Sequence, residues 1–181
     1  MKLWLIRHAR PLIEAGVCYG ATDMAADSQA TEVSAQALAQ VLPLGLRVVS
    51  SPLKRCVQLA QALKTLRPDL NATPDARLVE MDFGCWEGVR WDAIPKDAHT
   101  QWVDNFSTYR FGGRESVGEF MQRVAWARAD LTSQTEEAVW ITHAGVIRAM
   151  TLLSQGLSVI DRADQWPKNT PEWGQWWEVQ I

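Results

Sequence analysis

Two histidines and two arginines stand where apolar runs end, and together they describe a site for an oxyanion. In LIRHARP (5–11), Arg7, His8 and Arg10 directly follow an uninterrupted apolar run. In SSPLKR (50–55), Arg55 lies one turn into an expected helix, and in ITHAGVIR (141–148) His143 interrupts another strand-to-helix passage. Arg suits phosphate because its planar fork donates two parallel hydrogen bonds. The tight turn at Thr142–His143–Ala144–Gly145 adds backbone N–H donors and the positive end of a helix dipole. A lone His or Arg at a strand end is ordinary, whereas three such ends brought together favour phosphate.

Two rival chemistries fit less well. His8, His143 and a carboxylate could ligate a divalent ion, but Arg7 and Arg55 would repel it, and neither HxH nor HExxH spacing occurs. A triad hydrolase lacks its GxSxG elbow, and Ser50 and Ser51 read as turn and cap residues.

The elements that must carry these residues alternate. Strands are expected at 2–6, 46–50, 76–79 and 138–142, with WWEVQI as a final one. Helices are expected at 28–42, from Ser51 as N-cap with Pro52 in the first turn, around 97–109, at 116–134 and from about 145. The apolar stripe of the first helix reads as Val33, Ala37, Val41 and Leu38. Residues 7–27 and EMDFGCWEG form loops. The pattern predicts a single α/β domain over 1–181, a three-layer sandwich of short parallel strands alternating with helices. Ligands of such sheets gather at the carboxyl ends of the strands, where Arg7, His8 and His143 fall.

Composition narrows the partners. A chain of 181 residues with 47% hydrophobic content can bury a real core, and its net charge of -3 argues against nucleic-acid or membrane binding. Any basic site must therefore be local, and the oligomeric state stays open. The first residues are too short for a signal-peptide core and no 18-residue apolar run occurs, so a soluble, cytoplasmic protein is expected. Cys18, Cys56 and Cys85 stand apart without a CxxC pair, which suggests small buried residues and neither disulfides nor zinc.

LIRHA (5–9), SSPLKRCVQLA (50–60), LVEMDFGCWEG (78–88), GGRES (112–116) and ITHAGVIRA (141–149) together resemble the ordered motif set of the histidine phosphatase superfamily, which implies a phosphoglycerate-mutase-like fold, a mixed, mostly parallel sheet flanked by helices, and a small-molecule phosphomonoester substrate. The resemblance implies that His8 is the nucleophile that becomes phosphohistidine. It implies that Arg7, Arg55 and His143 clamp the phosphate, helped by the backbone N–H of Ala144, and that Glu80 is the proton donor. No metal and no cofactor are then required. Asp82 ranks second for the acid, Glu87 is expected to support its loop, and Tyr19, Gly20 and Asp23 to shape the pocket loop. Arg148 reads as a structural ion-pair partner, and Arg10 stands between rim contact and solvent. GVCYGATDM, FGCWEG and GGRES look most like the α-ribazole phosphatase branch, which removes the 5′-phosphate of α-ribazole phosphate in cobalamin biosynthesis. Trp86, Trp91 and Trp102 are candidate stacking surfaces for its benzimidazole.

The chain also departs from the family pattern. Ala9 replaces the usual Gly after the nucleophile, acceptable if its φ is negative. Leu59 stands where Thr is common, and Glu14 would be unfavourable if it pointed inward. Compactness favours a phosphatase over a phosphoglycerate mutase; a broad-specificity phosphatase and a non-catalytic phospho-ligand-binding module remain open.

Overall fold

β1 (Lys2–Arg7) alternates its side chains strictly, so each face of the strand helps build a separate core. The structure, a computed structural model, describes residues 1–131 and 137–181. Leu3 and Leu5 point to one side with Ala138 and Trp140, while Trp4 and Ile6 point to the other with Val139 and Ile141. This period-2 division is what a strand buried on both faces requires. The remaining strands are β2 (Arg47–Ser50), β3 (Ala72–Pro74), β4 (Glu137–Thr142) and β5 (Trp176–Gln180), in the order β3-β2-β4-β1-β5. β3, β2, β4 and β1 run parallel, and β5 pairs antiparallel with β1.

Among the described residues, four of the five α-helices cover the faces of the sheet. α1 (Ser28–Val41) and α2 (Lys54–Leu66) close one face through Ala35, Leu38, Cys56, Leu59 and Leu63. α4 (Val117–Ala129) and α5 (Ala144–Ser154) close the other through Phe120, Val124, Val146 and Met150. α3 (Lys96–Asp104) lies beyond the carboxyl edge, near a third cluster built on Cys18, Ile94 and Phe111. The architecture is the expected three-layer, mostly parallel sandwich.

Four local readings need correction. Residues 76–78 form a single 3-10 turn because the Asp75 side chain accepts the Arg77 N–H at 2.8 Å, and the edge strand falls at 72–74, where Pro74 is tolerated. α2 begins at Lys54, not Ser51; Asp23 Oδ1 takes the Lys54 N–H at 2.7 Å, while Ser51 serves the site described below. α1 buries Thr31, Ser34, Ala35 and, as expected, Leu38, but leaves Val33 60% and Val41 43% exposed, so its core stripe is about a third of a turn from the apolar reading. The expected helices at 97–109 and 116–134 are shorter: α3 ends at Asp104 and α4 at Ala129, and residues 132–134 lie outside the described ones.

Cys18 and Cys56 are buried as expected, whereas Cys85 is exposed; none of the three is in a disulfide. Among the described residues no helix is long and apolar enough to cross a membrane.

Candidate active site

The carboxyl ends of β1, β2 and β4 deliver three groups to one place. The His8 N–H bonds the Thr142 carbonyl at 3.0 Å and the Ser51 N–H bonds the Ile141 carbonyl at 2.9 Å, so the sheet itself registers the loops. The rings of His8 and His143 come to rest 5.1 Å apart between centroids. Both are buried, as is the whole of Arg55.

Hydrogen bonding fixes the tautomer of each ring. His8 Nδ1 lies 2.7 Å from the Ala9 carbonyl, which can only accept, so Nδ1 carries the proton and Nε2 keeps a lone pair. Burial, reinforced by the charges of Arg55 and Arg7, lowers the His8 pKa to about 3, which keeps the ring neutral. In His143 the roles reverse. Arg55 Nε donates to Nδ1 at 3.2 Å, so the proton sits on Nε2, which donates to Ser51 Oγ at 2.8 Å. Burial and the Arg55 charge hold His143 well below its ordinary value. Contact between His143 and a phosphoryl oxygen therefore requires the ring to exchange Ser51 for that oxygen.

The cations have no carboxylate partners. Among the described residues Arg7, Arg55 and Arg148 make no ion pair within 4.0 Å. Arg55 also donates from Nη1 to the Thr22 carbonyl at 2.7 Å and from Nη2 to the Gly20 carbonyl at 2.6 Å, which leaves one N–H on each of these nitrogens. Arg7 donates to the Pro171 carbonyl at 3.0 Å and lies over the Trp173 ring. A floor of fixed positive charge in a weakly polar setting is what a transferring phosphoryl group needs.

Glu80 shares a cavity of about 470 Å3 with Arg7 and His8, lined also by Tyr19, Ala144 and Gly145, while Arg55 and His143 are fully buried outside its lining. Glu80 Oε2 accepts the Gly145 N–H at 2.9 Å, and its Oε1 accepts the Met81 N–H at 3.1 Å. Any side chain at position 145 would overlap the carboxylate. Ala144 opens α5 and contributes one of the N–H groups that a helix start leaves without an intrahelical partner.

Other expected residues fall into place or out of it. Glu87 clasps the pocket loop, accepting from Gly20 N and Ala21 N at 2.9 Å, from Phe83 N at 3.0 Å, and from Thr22. Asp82 accepts the Gly84 N–H at 2.8 Å and lies off this cavity. Arg10 pairs with Asp27 at 3.1 Å outside the cavity, and Glu14 is exposed. No non-glycine residue among those described has positive φ, so Ala9 fits its turn. Trp91 and Trp102 line the cavity, while Trp86 packs against Phe111 in the third cluster.

Arg148 is the main correction: it lines the cavity and, among the described residues, makes no ion pair within 4.0 Å, contrary to its reading as an ion-pair residue. Glu115 and Arg123 were also missed. Arg123 pairs with Glu115 at 2.6 Å and donates to the carbonyls of Arg77, Val79 and Glu80 at 2.7, 2.6 and 3.1 Å, bracing the segment that carries the acid. GGRES is thus largely scaffolding, with Ser116 capping α4. No group of three or more His, Cys, Asp or Glu among the described residues is placed to hold a metal ion.

Comparison with known proteins gives a consistent result. A family model described as histidine phosphatase superfamily (branch 1) matches residues 3–178. The bifunctional protein Rv2228c of Mycobacterium tuberculosis is 34% identical over 113 residues, covering 59% of this chain but only 30% of that protein. TTHB049 from Thermus thermophilus superposes with a TM-score of 0.74 at 28% identity, covering 99% of this chain and 93% of that one. The mycobacterial glucosyl-3-phosphoglycerate phosphatase Rv2419c shares the fold at a TM-score of 0.81 and 22% identity, covering 99% and 89%.

Proposed function

Given that the chain belongs to the histidine phosphatase superfamily, we propose that it is a phosphoric monoester hydrolase working through phosphohistidine on His8, without a metal. The observation that carries this reading is the 2.7 Å contact of His8 Nδ1 with the Ala9 carbonyl, which leaves Nε2 unprotonated beside Arg7 and Arg55. In the first half-reaction Nε2 attacks phosphorus, the bond to the ester oxygen breaks, and Glu80 gives that oxygen its proton. In the second, water attacks the phosphohistidine, Glu80 takes the water proton, and phosphate leaves. Arg7, Arg55 and the Ala144 N–H hold the phosphoryl oxygens throughout, and His143 joins them by turning from Ser51.

We further propose α-ribazole 5′-phosphate as the substrate. The aromatic wall supports this choice: Trp102 stacks on Phe111 at 4.4 Å, and Trp91 stacks on the same ring at 6.0 Å, presenting flat surfaces to a bicyclic leaving group.

Phosphate release from α-ribazole 5′-phosphate and a panel of small phosphomonoesters, including glucosyl-3-phosphoglycerate, tests both parts with wild type and His8→Ala. Selectivity for α-ribazole phosphate lost in the variant supports mechanism and substrate. Activity spread over the panel keeps the mechanism and makes the enzyme a broad-specificity phosphatase. Transfer between substrate positions without release would make it a mutase, and binding without turnover or acid-labile phosphate on His8 would leave a passive binding module.

A further inference from the structure

Three buried side-chain polar atoms among the described residues have no hydrogen-bond partner: Arg7 Nε, Trp102 Nε1 and Arg148 Nε. All three are donors, and all three residues line the cavity that holds His8 and Glu80. Buried polar groups in folded proteins are nearly always paired, so orphan donors gathered on one wall point to acceptors carried by what the cavity takes in.

Arg7 follows from the phosphoryl site it adjoins. Arg148 and Trp102 need a separate account. Arg148 lies four residues after Ala144 on α5, hence on the same helical face one turn further from the phosphate floor. Among the described residues its one hydrogen bond runs from Nη2 to the Lys168 carbonyl, at 3.3 Å. Trp102 is clamped by its stack on Phe111, which holds the indole plane at 18° to that ring. Neither donor can turn to another protein acceptor without breaking these contacts.

We infer that Arg148 and the Trp102 N–H form a leaving-group subsite that binds acceptor atoms of the alcohol released from phosphate. This rests on the phosphomonoesterase reading and narrows it. The alcohol carries acceptor oxygens near the ester, as a pentose or a hydroxy acid does, and its planar or apolar remainder lies on Phe83, Trp91 and Trp166. A guanidinium grips vicinal hydroxyls and a carboxylate by the same donors.

The test compares kcat/KM on ribose 5-phosphate, 3-phosphoglycerate and benzyl phosphate, all esters of primary alcohols. Arg148→Met should lower the preference for an oxygen-bearing ester over benzyl phosphate by about tenfold or more, and Trp102→Phe should lower it in the same direction by less. A drop confined to ribose 5-phosphate identifies hydroxyls as the acceptors, and one confined to 3-phosphoglycerate identifies a carboxylate; either supports the subsite. Equal losses on all three esters, or an unchanged preference, would overturn it. Should Arg148→Met not fold, product inhibition of the wild type decides: ribose or glycerate must inhibit better than benzyl alcohol, and the reverse order would overturn the subsite. Failure of the parent reading looks different, because the wild type then releases phosphate from none of the esters and the inference falls with it.

Discussion

The Gly145 N–H donates to Glu80 Oε2 at 2.9 Å, and the space where a Cβ would stand at residue 145 is already filled by the other oxygen of the same carboxylate. The acid of the proposed reaction is therefore seated on the first turn of the helix that also carries Ala144. Gly145→Ala must displace Glu80, and a displacement near 1 Å costs about a hundredfold in rate. Steady-state kinetics with a retained melting temperature would bear this out; full activity would separate Glu80 from Gly145.

Glu80→Gln keeps the shape of the side chain and removes its proton. Alkyl phosphates, whose alkoxides need protonation, should slow by about 10²–10⁴-fold, while aryl esters with good leaving groups lose far less. Equal losses on both classes would take the acid role away from Glu80.

His8 should stay neutral across the working range, because burial and the Arg55 and Arg7 charges lower its pKa to about 3. The unfolded chain binds that proton below about pH 6.5 and the folded chain does not, so stability falls as pH drops from 6.5 towards 3. Between pH 7.5 and 4.5 the loss from this group should be about 2–3 kcal/mol, absent in His8→Ala. Urea unfolding of both proteins at the two pH values reads the difference directly. A pH dependence identical in the two would mean that His8 is not held neutral.

Glu87 acts two steps from the chemistry. It pins the amides of Gly20, Ala21 and Thr22, and the carbonyls of Gly20 and Thr22 orient Arg55. Glu87→Ala should cost on the order of 3 kcal/mol of stability by stranding several amides. It should also weaken inhibition by inorganic phosphate, as Arg55 loses its anchor. Unchanged phosphate inhibition in a destabilised variant would confine Glu87 to the fold.

A chelator should leave the rate unchanged, since the two imidazoles that could ligate a cation share their setting with Arg55. Strong inhibition reversed by a divalent ion would install a metal in the mechanism.

The strand ends at Arg7 and Thr142 were legible in the sequence because unbroken apolar runs stop there and polar residues follow at once. Segments decided by a single side chain were not. Asp75 turns ARL, the start of the expected strand at 76–79, into a 3-10 turn, and Asp23, thirty-one residues away, caps α2. The face of α1 was misread because Thr31 and Ser34 are buried with their hydroxyls bonded back to the helix carbonyls of Asp27 and Ala30, so polar residues sit in the core stripe. Arg148 was misjudged for a related reason: spacing places it on the Ala144 face of a helix but says nothing of whether a carboxylate waits there.

His8 directly follows a strand whose two neighbours come from the far end of the chain. β1 pairs with β4 and β5, Gly174 N bonds the carbonyls of Arg7 and His8, and Thr170 and Pro171 hold the Arg7 guanidinium. Closing such sequence-distant pairs costs loop entropy before any contact repays it, which slows folding and places the site among the later features to form. The amide proton of His8, bonded to Thr142 inside the sheet, should accordingly exchange with solvent only through global opening. Retained activity in this protein is then a report on the integrity of the whole sheet.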